Sequence, residues 1–289
     1  MKKTGLLYVL FIYSISLNSQ AQSASLDIKD KPASYSYFAI GNENINYKET
    51  ISISGANFET DTTTDNLVLL SGGRTFVSPD LSFSINAIST LYPQHVTETW
   101  RLTNTFQGIE PHDLQTNQFT YSQVSTQFLL HYHPQAWWSL DLGATYSLGT
   151  FKRFSFNYLS VLSCNPSQTD CTGDNVVEET FGELIIQGGG SSYFSLTEDW
   201  QLHFTALVGI PVFSRIENTL YPELQFDSTA GWNTEIISSL SYHLNDDISL
   251  GLIYDFQYQF KDIQNIGTVY IPENERLAHR YGLLVNWAF

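Results

Sequence analysis

Charged residues are scarce in this sequence, and basic ones are the scarcest. Charged side chains make up 15% of the 289 residues, and 13 Lys and Arg stand against 29 Asp and Glu, for a formal net charge of −16. An ordinary soluble domain carries about 25% charged residues. Because contacts to phosphate backbones require Lys and Arg, we expect no nucleic-acid partner.

Long apolar segments are also missing from most of the chain. After the N-terminal stretch, no segment approaches the ~18 uninterrupted apolar residues of a membrane-spanning helix. A β-barrel alternates its apolar residues with polar ones, so it enters a membrane at an unremarkable hydrophobic content, here 42%. Any membrane insertion of this chain must therefore use strands.

The N-terminus has the plan of a secretory signal peptide. A basic start, Met-Lys-Lys-Thr, precedes an apolar stretch over 5–17, and small residues lead to Ala21. This pattern predicts a signal peptide over 1–21 that is cleaved after Ala21, followed by a periplasmic lead-in over 22–34. A membrane anchor is the alternative, but the apolar stretch is shorter than the ~20 residues that a spanning helix needs.

Side chains of the last ten residues alternate between two faces, and one of these faces is wholly apolar and aromatic. The residues that share one apolar face of this final strand are Tyr281, Leu283, Val285, Trp287 and Phe289. An exposed edge of this kind invites aggregation in a soluble protein, whereas a strand that closes a membrane barrel leaves no edge. The ending resembles the closing strand of Gram-negative outer-membrane β-barrels, over about ten residues and without indicating a particular family. The resemblance implies outer-membrane lipids and the barrel-assembly machinery as partners.

Similar alternation recurs along the chain and predicts an all-β, antiparallel up-and-down transmembrane barrel over 35–289. The clearest case is 248–261, with apolar and polar residues on opposite faces. We expect ten strands in five hairpins, and splitting 81–104 or 137–160 would give twelve instead. The second and fourth strands are expected over 66–77 and 119–133, and the first connection over 55–65 is expected to be a long polar loop. Short turns at one end and longer polar connections at the other are typical of such barrels and predict that both termini are periplasmic.

Ionisable residues on the inward faces are the candidate lumen network. They are His131, Asp141, Glu183, His203, Glu235, His243, Asp255, Lys261 and Arg280. A barrel of about eight strands is filled by side chains, whereas 16–18 strands leave a channel. We therefore expect these residues to pair with one another and fill a narrow lumen. A proton or ion path and a small-ligand site are the alternatives.

The two cysteines, Cys164 and Cys171, flank a turn-forming segment. In a secreted chain this spacing predicts a disulfide. A metal pair is the alternative, but no His lies within ten residues of either Cys, and no other ligand cluster has recognised spacing. We predict no metal and no cofactor.

An enzyme is the less favoured interpretation. Omptin proteases are ten-stranded barrels of about this length, with paired acids and an Asp–His pair at the outer rim. Glu110, His112 and Asp113 could imitate such a site and are weak catalytic candidates, although their strand positions do not match. The favoured interpretation is a filled barrel that binds a surface or envelope partner through its external loops. A narrow, porin-like, substrate-specific channel and an omptin-like rim hydrolase are the alternatives.

Overall fold

The computed structural model describes residues 34–160, 172–173, 176–227, 229–266 and 269–289. The predicted signal peptide, nearly all of the lead-in and both cysteines lie outside the described residues. Within these ranges the chain forms strands and connections without a helix. A search of the same ranges finds no helix that is long and apolar enough to cross a membrane.

The strands follow one another as antiparallel neighbours. In chain order they are β1 (Tyr35–Ile53), β2 (Ala56–Ser78), β3 (Leu81–Pro93), β4 (Val96–Leu102), β5 (His112–Gln135), β6 (Trp138–Tyr158), β7 (Thr172–Gly173), β8 (Val177–Ser195), β9 (Trp200–Asn218), β10 (Gln225–Asp227), β11 (Gly231–His243), β12 (Ile248–Lys261), β13 (Gln264–Ile266), β14 (Val269–Ile271) and β15 (Glu273–Ala288).

The long strands close into a ring. β1 pairs with β2 on one side and with β15 on the other, and the ring continues through β3 and β4, β5, β6, β8, β9, β11 and β12. Because β3 and β4 both lie between β2 and β5, they share one position, which makes ten positions in the described part of the chain. The predicted antiparallel up-and-down barrel is confirmed.

Two strands are longer than predicted, because their outer parts are polar on both faces. β2 begins at Ala56 rather than at 66, and β5 begins at His112 rather than at 119. The first connection is therefore not a long loop but a tight hairpin at Ser54 and Gly55, with φ of 52° and 91°. A strand that projects into water loses the apolar alternation by which strands are recognised in a sequence.

The third ring position is interrupted at the proline that changes the alternation. β3 ends at Pro93 and β4 begins at Val96, with Gln94 and His95 between them. The backbone N–H of Gln94 donates to Asn66 Oδ1 at 3.1 Å, which replaces part of the lost ladder. Proline has no N–H to donate, so a break at this point is expected.

The outside of the barrel carries an apolar band and the inside is polar, the reverse of a soluble barrel. Outward apolar side chains include Phe38, Ile40, Leu67, Phe83, Ile85, Phe128, Leu130, Leu140, Leu142, Val208, Ile210, Leu250, Leu252 and Leu283. The band lies toward the end that holds Ser34 and Phe289, here called the terminus end. Toward the opposite, loop end, the outer face of β1 and β2 becomes polar, with Asn44 and Asn46 donating to carboxylates of β2.

Candidate functional site

Inward side chains fill the barrel in successive layers along its axis. Three charged clusters can be named: the Arg153 cluster (Glu49, Glu98, Arg153, Glu179), the Arg280 cluster (Glu43, Asp255, Arg280) and the His131 cluster (Arg74, Ser84, His131, Asp141). They lie at the loop end, near the middle and toward the terminus end, respectively. All of these residues are at most 9% exposed.

The Arg153 cluster stands beyond the apolar band, where the outward neighbours Lys48, Lys152 and Glu178 are charged. Arg153 Nε donates to Glu98 Oε2 at 2.7 Å, Nη2 to Glu49 Oε2 at 2.9 Å and Nη1 to Glu179 Oε2 at 3.4 Å. Three carboxylates thus face one guanidinium. Burial, and next the charge of Glu49, raises the pKa of Glu179 to about 7, and burial also raises the pKa of Glu49.

The Arg280 cluster joins three adjacent strands, β1, β15 and β12. Arg280 Nε donates to Glu43 Oε1 at 2.7 Å, and Nη1 donates to Asp255 Oδ2 at 2.8 Å. Toward the loop end, Lys261 Nζ lies 3.2 Å from Glu183 Oε1. Each buried charge in these pairs has an opposite partner, which a low-dielectric interior requires.

An aromatic layer packs between the Arg153 cluster and the Arg280 cluster. Its members are Tyr47, Phe119, Tyr121, Phe151 and Phe181, with neighbouring ring centroids between 4.5 and 6.4 Å apart. The cavity beside this layer measures about 20 Å³. A water molecule needs about 10–15 Å³ by the same measure, so the space holds about one water. The lumen at this level is therefore filled rather than open.

The His131 cluster has the hydrogen-bond order of a serine hydrolase. Ser84 Oγ lies 2.8 Å from His131 Nε2, and His131 Nδ1 lies 2.7 Å from Asp141 Oδ1. Ser139 and Ser191 also donate to the Asp141 carboxylate. However, Arg74 Nη2 lies against the imidazole, 3.3 Å from Nδ1 and 3.2 Å from Nε2. Because His131 is 0% and Ser84 is 5% exposed, this arrangement leaves a substrate no room at the hydroxyl.

The structure buries seven of the predicted lumen residues: His131, Asp141, Glu183, Glu235, Asp255, Lys261 and Arg280. His203 is half-buried and stacks on Tyr193 with centroids 4.5 Å apart. His243 is exposed at the terminus end and lies outside the network. The prediction for His243 was wrong because this residue is the last of β11. A side chain on the inward face at the end of a strand lies at the barrel mouth and is not buried.

Several network residues escaped the sequence analysis: Glu43, Glu49, Arg74, Ser84, Glu98 and Glu179. Each occupies an inward position of its strand. Parity alone could have found Glu43 and Glu49, which lie on the face of β1 opposite the outward Phe38 and Ile40. Glu98 shares the even parity of the inward Ser82 and Ser84, although Pro93 interrupts the strand between them.

The three rim candidates do not converge into a site. His112 Nδ1 contacts the backbone carbonyl of Glu110 at 2.8 Å, and its Nε2 lies 2.9 Å from Ser160 Oγ. Asp113 pairs with Arg101 at 2.9 Å, and the Glu110 carboxylate accepts from Thr105 at 3.0 Å. Each polar group is engaged elsewhere, so the geometry does not assemble an acid–base pair. Across the described ranges, no group of three or more His, Cys, Asp or Glu could hold a metal ion.

Comparison with solved structures finds outer-membrane β-barrels. The outer membrane protease OmpT from Escherichia coli superposes with a TM-score of 0.62 at 10% identity, over 90% of this chain and 97% of that chain. The outer membrane protein OprG from Pseudomonas aeruginosa matches with a TM-score of 0.33 at 10% identity, over 91% and 99%. Neisserial surface protein A matches with a TM-score of 0.29 at 10% identity, over 87% and 97%.

No family model matches the chain, and no curated protein matches it. At 10% identity the likeness to OmpT concerns the fold alone. Together with the closed ring, the polar inside and the apolar band, it leads to one conclusion: the chain has the fold of a Gram-negative outer-membrane β-barrel protein.

Proposed function

We propose that this chain is an integral outer-membrane β-barrel whose lumen is closed by side chains and whose loop end binds a surface or envelope partner. In this proposal residues 1–21 are the signal peptide, 22–34 are the periplasmic lead-in and 35–289 are the barrel. The observation that carries it is the filled lumen at the level of the aromatic layer, where the cavity beside the rings measures only about 20 Å³. A barrel without a path through it must act at its surfaces.

The loop end offers a surface suited to a protein partner. Large apolar side chains in the loop-end connections are exposed, namely Leu159, Val176, Leu220, Tyr221, Ile263, Ile266 and Tyr270. These residues stand well beyond the apolar band, among polar strand extensions, so lipid does not cover them. Exposed apolar groups rimmed by polar residues are typical of interaction surfaces. A disulfide between Cys164 and Cys171 would stiffen the connection after β6 in this proposal.

Conductance in a planar bilayer tests the closed lumen. We expect the wild-type protein to insert without discrete current steps. The matched control is the double variant Phe151→Ala, Phe181→Ala, which removes two rings of the aromatic layer and should conduct. Stable open steps from the wild-type protein, at the frequency of the control, would overturn the closed lumen and favour the narrow channel.

Thiol labelling tests the proposed sidedness. In a background with Cys164→Ser and Cys171→Ser, Thr219→Cys places a thiol at the loop end and Asp246→Cys places one at the terminus end. We expect a membrane-impermeant reagent to label Thr219→Cys on intact cells and Asp246→Cys only after the outer membrane is opened. The opposite result would reverse the barrel, and the loop end could then not face an external partner.

A further inference from the structure

Arg74 is a buried cation without a carboxylate partner among the residues that the structure describes. The residue is 3% exposed, and within the same residues its Nε and Nη1 atoms have no hydrogen-bond partner. Only Nη2 is engaged, against the imidazole of His131. By contrast, Arg153 contacts three carboxylates and Arg280 contacts two. Among the described residues, Arg74 forms no such ion pair.

An uncompensated guanidinium in the lumen is energetically unfavourable. Arginine does not lose its proton in proteins, so it cannot relieve the burial by becoming neutral. An isolated buried charge costs far more than a buried neutral group. The ring of Tyr193 lies 5.1 Å from Arg74 Cζ, but a cation–π contact does not neutralise the charge of the guanidinium. The nearby carboxylate of Asp141 is already engaged by His131, Ser139 and Ser191.

A second unpartnered donor lies beside Arg74. The hydroxyl of Tyr193 is buried and has no hydrogen-bond partner in the described part of the chain. The Tyr193 ring lies between the guanidinium of Arg74 and the imidazole of His203, on which it stacks with centroids 4.5 Å apart. Buried donors are normally hydrogen-bonded to an acceptor. A guanidinium together with a hydroxyl can bind an oxyanion.

We propose that Arg74 and Tyr193 hold a small oxyanion, of the phosphate class, in the terminus end of the lumen. The anion neutralises Arg74 and accepts hydrogen bonds from its free nitrogens and from the Tyr193 hydroxyl. It comes from solution rather than from a lipid head group, because both side chains face inward, away from the apolar band. This site is independent of the partner proposed for the loop end.

Calorimetric titration of the detergent-solubilised protein with inorganic phosphate, at constant ionic strength set with sodium chloride, tests this site. We expect saturable binding to the wild-type protein and an affinity loss of about tenfold or more in Arg74→Gln, as for a hydrogen bond to a charged group. Tyr193→Phe should also weaken binding. Arg101→Gln is the matched control and should bind as the wild type does, because this arginine is exposed and pairs with Asp113.

Absence of saturable binding to the wild-type protein would overturn the proposal, and so would equal affinities for the wild type and Arg74→Gln. If Arg74→Gln fails to fold, Tyr193→Phe decides, since this variant keeps the guanidinium and removes only the hydroxyl. Unchanged phosphate affinity in Tyr193→Phe would then exclude the site.

Discussion

Arg280 and Glu43 face each other across the seam at which the last strand pairs with the first. Arg280 Nε lies 2.7 Å from Glu43 Oε1, the two residues are register partners, and their side chains are 1% and 0% exposed. A buried ion pair therefore lies directly on the closure of the barrel. Asp255, on the other neighbour of β15, completes the pairing at 2.8 Å.

Arg280→Met should strongly destabilise the barrel. The change leaves Glu43 and Asp255 buried without their cation, which costs about 3–5 kcal/mol. Guanidinium unfolding in detergent measures the loss. Arg101→Met is the control, because an exposed ion pair such as Arg101 with Asp113 contributes about 0–1 kcal/mol. Similar losses in both variants would contradict a special role for the seam pair.

Gly149→Ala should destabilise the barrel through the aromatic layer. A Cβ at Gly149 would lie 2.2 Å from Phe181 Cζ, so the ring must move, at a cost of about 1–3 kcal/mol. Gly182→Ala is the control, because the nearest atom to its added Cβ is 3.4 Å away. Phe181→Leu in the Gly149→Ala background should recover part of the loss by making room. Equal denaturation midpoints for the two alanine variants would count against the packing argument.

Glu179 should make the loop end less stable as the pH rises. Burial raises its pKa from about 4.5 to about 7, so the folded state holds a proton that the unfolded state releases. Its contribution to stability is therefore fully present below about pH 4.5 and is lost as the pH rises through about 7. Unfolding midpoints of wild-type protein and Glu179→Gln across this window measure the effect.

We expect the stability of Glu179→Gln to fall less than that of wild type across that window, because an amide does not titrate. Glu178→Gln is the matched control, since its side chain sits one residue away on the outer face. If Glu179→Gln follows the pH profile of wild type, the buried carboxyl is not the titrating group.

Deleting Phe289 should impair barrel assembly. The backbone N–H of Phe289 donates to the carbonyl of Ser34 at 3.0 Å, which extends the seam, and its ring is 72% exposed on the outer side. The deletion removes both the hydrogen bond and the terminal aromatic group. The folded fraction appears as the fast-migrating band on an unheated gel. Phe289→Tyr keeps both features and should assemble normally, whereas wild-type assembly of the deletion would disprove the expectation.

The alternation of apolar and polar residues was enough to predict the class of fold and many of the inward residues. Alternation has a period of two wherever one face meets lipid and the other meets the lumen, so strands such as 248–261 could be read directly. The same alternation placed Asp141, Asp255 and Arg280 inside. Where β2 and β5 extend beyond the lipid, both of their faces are polar. The alternation is therefore absent there, and the starts of these strands at Ala56 and His112 could not be recognised in the sequence.

The contacts between inward residues could be learned only from the folded ring. Arg153 reaches Glu49, on β1, and Glu98, on β4, because the curvature of the ring brings distant strands across the lumen. Among the described residues, the same closure places no carboxylate in an ion pair with Arg74, although its position on β2 resembles that of other inward residues. Pairing across a barrel depends on strand tilt, register and side-chain reach, and no local pattern in a sequence records these.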